Sequence, residues 1–499
     1  MGAASAGGDS LVSVGNSALY TTTSQELERT PGSAGNVDKF TFSAWVYMCN
    51  PTSGNTPIFG AINTSANQHR LFTTSGGTLQ FDLYLSNSFV GRVISSQVLR
   101  DIGWYHIVAV YDSGNAIAGD RMKIYLNGER ITDLTSVVNP SQNLDGLICG
   151  AHLHQIGMHD GFSTTLDGYM AEAVLLDGTV AEPSSFGQYD STGTFWTPLS
   201  SATIKALTFG TTGFYLDNTT NAQTDASGEG NNFTNTGSVA LSTHTPTNLN
   251  ALFNPLNFLD ITTRFPVMTV GNTTTGLSTS GSSATGGLTF PVTYNTHIEF
   301  IFSVAAASGF DHQYPNFQVY PYGGPYDTAL VQQPSGNFAN DAGLASGATR
   351  PNFANNDRIT MEIDAANGRI YLWQNGNALN SANPGANSGF TFDYTPPASG
   401  AVILAFTNGN STSKTLVNSN PADFEDTVSA GYFPLTSTAI TAQTTRTHSN
   451  LEEYFDSTLY EGNGAGQRVG KFLPFTNAFT VGNSALFDDG DTELTRTPS

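Results

Sequence analysis

The chain has 499 residues, long enough for about two to four domains with real cores. Only 12% of it is charged, yet acids so outnumber bases that the net charge is −22. That charge repels phosphate backbones and anionic lipid surfaces, and the scattered Lys and Arg residues form no basic cluster, so nucleic-acid binding is not expected.

Residues 1–10 form a small-residue arm with neither a basic nor an apolar segment, unlike a signal peptide. No apolar run approaches a membrane span, and membrane insertion is not expected. From Leu11 to about residue 200 the text is β throughout. Phe40, Phe42, Ala44 and Val46 alternate with Thr41, Ser43, Trp45 and Tyr47. Period 2 with aromatic residues on both faces predicts a strand in a two-layer sandwich. Trp104–Tyr111 reads the same way. Met122–Leu126 follows, and Asn127-Gly128 supplies the positive φ of a type I′ hairpin turn. Leu166–Leu176 is the late strand of this domain. Cys49 and Cys149 are too few for a disulfide framework; one bridge or two buried free thiols are the alternatives, the second favoured.

Residues 201–254 are rich in Asn, Thr and Gly and read as a connector. A second β domain is expected over 255–428. Its clearest strands are His297–Val304, Arg358–Ile363, Arg369–Trp373 and Ala401–Thr407. Asn367-Gly368 and Asn375-Gly376 bracket a short strand between two tight reversals. Residues 429–480 read as a second connector.

The end of the chain repeats its beginning. Val14–Leu19 returns as Val481–Leu486, and Glu26, Leu27, Arg29, Thr30 and Pro31 return as Glu493, Leu494, Arg496, Thr497 and Pro498. At one offset of 467 residues, 11 of 18 positions are identical. Residues 481–499 are therefore expected to open a second copy of the first module. Such a lone segment is expected either to continue into a further module or to pair with a neighbouring subunit.

Phe40–Val46, Trp104–Val108, Ile124–Gly128 and Leu166–Gly168 come in an order and spacing that resembles the laminin-G/concanavalin-like jelly roll. With Arg29-Thr30-Pro31 and Ala34-Gly35-Asn36 ahead of the first long strand, the pattern is similar to modules of tailed-phage fibres and appendages. Ala181–Gly187, Gly213–Asp217, Thr245–Asn248 and Asn254–Asn257 add to that likeness. The second domain resembles SPRY modules through Asp364–Tyr371 and Asn375-Gly376, with Ala430–Leu435 after them. It departs from their usual Phe/Gly-containing last strand, having Thr415–Asn418 instead. The fold class expected is all-β: a jelly roll over 11–200 followed by a SPRY-like sandwich.

Concanavalin-like folds also house glycanases, which need two flanking acids and a third to orient them. Glu362 and Asp364 share one strand face, but the third acid of such a pattern falls at Asn367, so no catalytic residue is assigned and Asp364 is read as a turn stabiliser. His152 and His154, with His159 nearby, are minor candidates for a transition metal, because His-x-His places two imidazoles on one strand face. Ca²⁺ is a further use for the acid excess, with no ligand set assigned; no cofactor is expected. Residues 309–328 carry six aromatics among three prolines and three glycines. Exposed Tyr rings stack on sugar faces, so Tyr314, Tyr320, Tyr322 and Tyr326 are the candidate ligand-binding residues.

The resemblance implies a non-enzymatic virion protein of a tailed phage, made in the host cytoplasm. Its modules would bind a host-surface glycan, and its partners would be other virion proteins and copies of itself. An architectural subunit without a ligand and a glycan depolymerase are the alternatives.

Overall fold

A computed structural model describes residues 12–250 apart from 22–23, 50–53, 100–102, 163 and 191–195. Beyond them it describes 294–303, 345–348, 356–396, 401–408, 414–418, 421–436 and 439, together with isolated strands named below. Two compact units divide the chain near residues 248 and 249.

The first unit contains β1 (Ser17–Tyr20), β2 (Glu26–Arg29), β3 (Lys39–Met48), β4 (Thr56–Thr64), β5 (Asn67–Thr73), β6 (Thr78–Leu85), β7 (Ser88–Val98), β8 (Trp104–Asp112) and β9 (Met122–Leu126). It continues with β10 (Glu129–Arg130), β11 (Leu134–Val138), β12 (Leu153–Ile156), β13 (Gly168–Asp177), β14 (Gly187–Tyr189), β15 (Trp196–Pro198), β16 (Phe214–Leu216), β17 (Thr234–Thr236) and β18 (Ala240–Ser242). The first sheet runs β10-β9-β8-β3-β13-β1-β18, with β16 also on β13. The second runs β11-β7-β6-β5-β4-β12-β2-β17. All the registered pairs are antiparallel, and the first two strands of the chain go to opposite sheets.

The sheets close on a core in which Phe42 stacks on Phe59 at 4.3 Å and Phe40 meets Phe81 edge-on at 6.2 Å. Alternate residues of β3 and β8 bury on the other face, so both faces of the first sheet are covered. There Trp45, Trp104 and Trp196 gather with Val14 and Ala171. The Trp196 indole N–H donates to His106 Nδ1 at 2.9 Å, which leaves His106 Nε2 as the donor to Ser43 Oγ at 2.9 Å. Asn127 and Gly128 take φ of 48° and 88°, the expected type I′ geometry between β9 and β10. Cys49 and Cys149 are buried free thiols.

Residues 201–248 are not a connector. Their short strands complete both sheets: β16 on β13, β17 on β2 and β18 on β1. Buried Asp177 ties them in, accepting from Asn36 N at 2.6 Å and from Thr212 N at 2.9 Å. Glu172, at a bulge of β13 with φ 54°, is held by the Tyr215 hydroxyl, and burial pushes its carboxyl up to about 7. The strands are too short to show a period, and their partners rather than their own pattern make them strands.

The second unit contains β19 (Pro266–Thr269), β20 (Thr274–Leu277), β21 (Ala284–Pro291), β22 (Thr296–Ser303), β23 (Asn316–Pro321), β24 (Arg358–Asp364), β25 (Arg369–Gln374), β26 (Asn377–Ala378), β27 (Phe392–Asp393), β28 (Ala401–Asn408), β29 (Lys414–Asn418) and β30 (Phe433–Pro434). One sheet runs β19-β20-β29-β22-β24-β25-β26, with β27 on β25 and β30 parallel to β22. A second runs β21-β28-β23. β30 belongs to a stretch read as connector, where Tyr432 and Leu435 are buried; most of 437–477 lies outside the described residues. The pair β31 (Leu459–Tyr460) and β32 (Gln467–Arg468) precedes a three-stranded meander of β33 (Ala478–Val481), β34 (Ser484–Asp488) and β35 (Glu493–Leu494).

The Tyr20 ring is fully buried and its hydroxyl has no hydrogen-bond partner among the described residues. Tyr20→Phe should raise the stability of the first unit by about 1 kcal/mol, read as an upward shift in urea midpoint. Five buried histidines give the unit an acid limit. Burial lowers His69, His106 and His244 to about 3 and His154 and His159 to about 4. Folded values below the ordinary ~6.5 mean stability is complete above that pH and is lost as pH falls toward 4. Glu172 works the opposite way, its stabilisation being present below its ordinary value and lost as pH rises through about 7. Tm should therefore fall steeply below about pH 6 with net proton uptake on unfolding, and Glu172→Gln should steepen the fall.

Candidate functional site

Strand alternation turns Leu71, Phe81, Val93, Ile156 and Leu27 into the core, so their neighbours line the outer face of the second sheet. The register places one transverse row there: Thr234, Glu28, Gln155, Gly60, Arg70, Asp82, Arg92 and Val138, one from each strand. Asp82 is its anchor. Its side chain is fully buried, and Arg70 donates to it twice, Nε to Oδ1 at 2.8 Å and Nη2 to Oδ2 at 3.0 Å. Gln80 Nε2 adds a third bond at 2.5 Å. Burial raises the Asp82 carboxyl while Arg70 opposes the rise.

Rings surround the Arg70 guanidinium: Phe72, Tyr84 and Phe162 lie 5.5, 5.6 and 5.3 Å away. Phe162 arrives on the loop after β12, whose His159 crosses Gly60, where a Cβ would meet the imidazole at 2.7 Å. Gln155 fastens that loop, its Nε2 donating to Asp160 Oδ1 at 2.7 Å and to Glu26 Oε2 at 2.8 Å. On the far side of Asp82, Arg92 lies over the Phe89 ring at 3.0 Å, and Phe89 is 39% exposed. Tyr84 and Phe89 are in contact at 4.8 Å. Among the described residues Arg92 Nε has no hydrogen-bond partner. The corner of Tyr84, Phe89 and Arg92 thus offers a partly exposed ring and a cation beside an already neutralised carboxylate. That arrangement can stack on a ring and donate to oxygens.

The metal candidates are placed differently from the expectation. His152 precedes β12, which begins at Leu153, so the two histidines do not share a strand face. His154 is buried with both nitrogens engaged, Nε2 accepting from Cys149 N at 3.0 Å and Nδ1 donating to His152 O at 2.8 Å. Among the described residues no group of three or more His, Cys, Asp or Glu could hold a metal. In the second unit Glu362 bonds His297 Nδ1 across the strand pair at 2.9 Å, and Asp364 accepts from Asn367 N at 3.1 Å as a turn stabiliser. Tyr314, Tyr322 and Tyr326 lie outside the described residues. Tyr320 sits on β23 opposite Ile403, with its side chain likewise outside them. Sequence reading missed the Arg70–Asp82–Arg92 row. Its signal was an acid set in strand alternation between Phe81 and Leu83.

Residues 21–184 match the family model for the Concanavalin A-like lectin/glucanases superfamily. This part of the chain has the laminin-G/concanavalin-like jelly-roll fold. Among solved structures, the chain is similar to a putative carbohydrate binding protein from Bacteroides ovatus ATCC 8483, at 16% identity over 46% of this chain and 60% of that one, with a TM-score of 0.32. It is similar to domains LG4-5 of the mouse laminin alpha1 chain, at 10% identity over 86% and 90%, with a TM-score of 0.27. It is similar to the SPRY domain of human HERC1, at 14% identity over 33% and 96%, with a TM-score of 0.25. No curated protein matches.

Asp82→Ala should cost the first unit about 3–5 kcal/mol, because it strands the Arg70 charge. Pairing Asp82→Leu with Arg70→Met should recover most of that loss, as urea unfolding of the three variants will show.

Proposed function

We propose that the first unit is a glycan-binding module and that the outer face of its second sheet is the binding face. The observation that carries this reading is the Tyr84–Phe89–Arg92 corner, an exposed ring beside a half-buried guanidinium that lies across the strand pair from Asp82. Sugars present flat C–H faces to rings and hydroxyls to fixed donors, so the corner has the two contacts that sugar recognition needs. The superfamily match over 21–184 supports the same reading, since its lectins bind and its glucanases cleave carbohydrate. Recognition without cleavage fits an acid whose charge Arg70 already balances.

The setting in which this binding acts is a tailed-phage appendage, a reading supported by the sequence resemblance and by the acidic, low-charge composition. There, many weak sites on one particle gain about 10²–10⁴ in avidity. The aromatic segment with Tyr314, Tyr320, Tyr322 and Tyr326 is a second proposed contact for host glycan. Mass spectrometry and immunogold labelling of purified virions check the location.

On a glycan array, Phe89→Ala and Arg92→Ala should each weaken the best ligand about tenfold, roughly 1.4 kcal/mol, with an unchanged Tm. Unchanged affinity in both variants would reject this face as the binding site.

A further inference from the structure

Glu172 stands at the bulge of β13 with φ 54°, and among the described residues it is the only charged side chain at positive φ. Bulges re-aim side chains, and strained backbone of this kind collects at sites that do chemistry. The Glu172 carboxyl is buried, and the Tyr215 hydroxyl donates to its Oε2. Burial, with the Asp217 charge adding to it, holds that carboxyl at about 7. An acid poised there both gives and takes a proton at neutral pH.

A lysine and an aspartate meet beside it. Lys205 ends a one-turn helix, α1 (Ser201–Lys205), whose Ile204 is buried in the cluster that holds Val174 and Tyr215. The Lys205 Nζ lies 2.9 Å from Asp217 Oδ2 and 6.0 Å from the centre of the Tyr215 ring. Asp217 directly follows β16, and the Ala173–Leu216 register carried one step sets it opposite Glu172. Both Lys205 and Asp217 act electrostatically on the Glu172 carboxyl. The Asp217 side chain is largely covered, whereas Lys205 is exposed on its outer side. A partly exposed ion pair is worth little by itself and needs no third acid. An amine and a carboxyl in contact, with a buried acid–base group beside them, are the parts of an amide-forming site.

We infer that Lys205 and Asp217 condense into an intramolecular amide, with Glu172 carrying the proton. The ammonium first passes one proton to the carboxylate it touches. The freed nitrogen lone pair then attacks Asp217 Cγ, and the Nζ–Cγ bond forms. Glu172 takes a second proton from that nitrogen and gives it to the departing hydroxyl, whose bond to Cγ breaks. One ammonium and one carboxylate become one amide and one water, without oxidant, reductant or cofactor, and Glu172 ends as it began. Groups held in contact react as if at about 10⁵–10⁸ M, which lets the condensation proceed in water. The open side of Lys205 lets the released water leave. The link staples α1 to the end of β16 and fastens residues 201–217 to β13.

Peptide mass spectrometry of the full chain, purified at neutral pH and digested with trypsin, tests this. Trypsin needs a free lysine, and the nearest other cleavage sites are Arg130 and Arg264. The expected product is residues 131–264 as one uncut peptide, lighter than its sequence by one water. Lys205→Arg, which keeps the charge, and Asp217→Ala should each abolish it. Glu172→Gln, close to the same shape, should lower the linked fraction at equal age by at least about tenfold. Peptides 131–205 and 206–264 at full mass in the wild-type digest overturn the inference. So does a missing water that survives Lys205→Arg, since the Asp217 carboxyl would then have closed on its own backbone. A linked fraction undiminished in Glu172→Gln overturns the role given to Glu172.

Discussion

The first unit is organised around the antiparallel pairing of β13 with β3. The pair spans Gly168 to Asp177 against Met48 to Phe40, two segments more than a hundred residues apart in the chain. Every other strand of the first sheet reaches it through one side or the other, β8 through β3 and β1 and β16 through β13. Its bulge between Ala171 and Val174 is where Glu172 adopts positive φ and turns its carboxyl to Tyr215, which brings residues 201–217 down onto the sheet. Long-range pairing of this kind must meet a large loop-closure cost before its contacts form, so a folding nucleus here is necessarily non-local.

The second sheet follows a different logic on its outer face. A fully buried aspartate is tolerated only because three donor bonds replace its water. Arg70 is thereby fixed at the centre of a ring of aromatics, and the next charge in the row, Arg92, is left with Phe89 and the open side. The same burial that makes the pair costly to break makes it a rigid foundation, and rigidity is what a recognition surface needs from its supporting residues.

Much of this was legible from residues alone. The strands at Phe40–Tyr47, Trp104–Tyr111 and Met122–Leu126 show their period or their turn, and Asn127-Gly128 and Asn375-Gly376 both adopt the positive φ their chemistry favours. The jelly-roll resemblance carried the fold class, which the sheets and the family match bear out. Residues 201–248 were not legible, because three-residue strands have no period and an Asn- and Gly-rich text looks the same in a loop. The separation of β1 and β2 into opposite sheets was hidden as well: four residues each give no clue to their partners. The polar row escaped because charge within a strand marks a face only once the register across seven neighbours is known.

The indole cluster on the first sheet has an optical consequence. The chain has four tryptophans, and Trp45, Trp104 and Trp196 lie in this one patch. Trp196 is hydrogen-bonded to an imidazole that is stacked between it and Trp45. Ultraviolet emission from the molecule is therefore weighted toward a single place on the first unit, and Trp373 alone speaks for the second. Charging or displacing His106 changes the surroundings of two emitters at once. The fold thus contains its own spectroscopic probe of whether the covering segment around Trp196 remains seated.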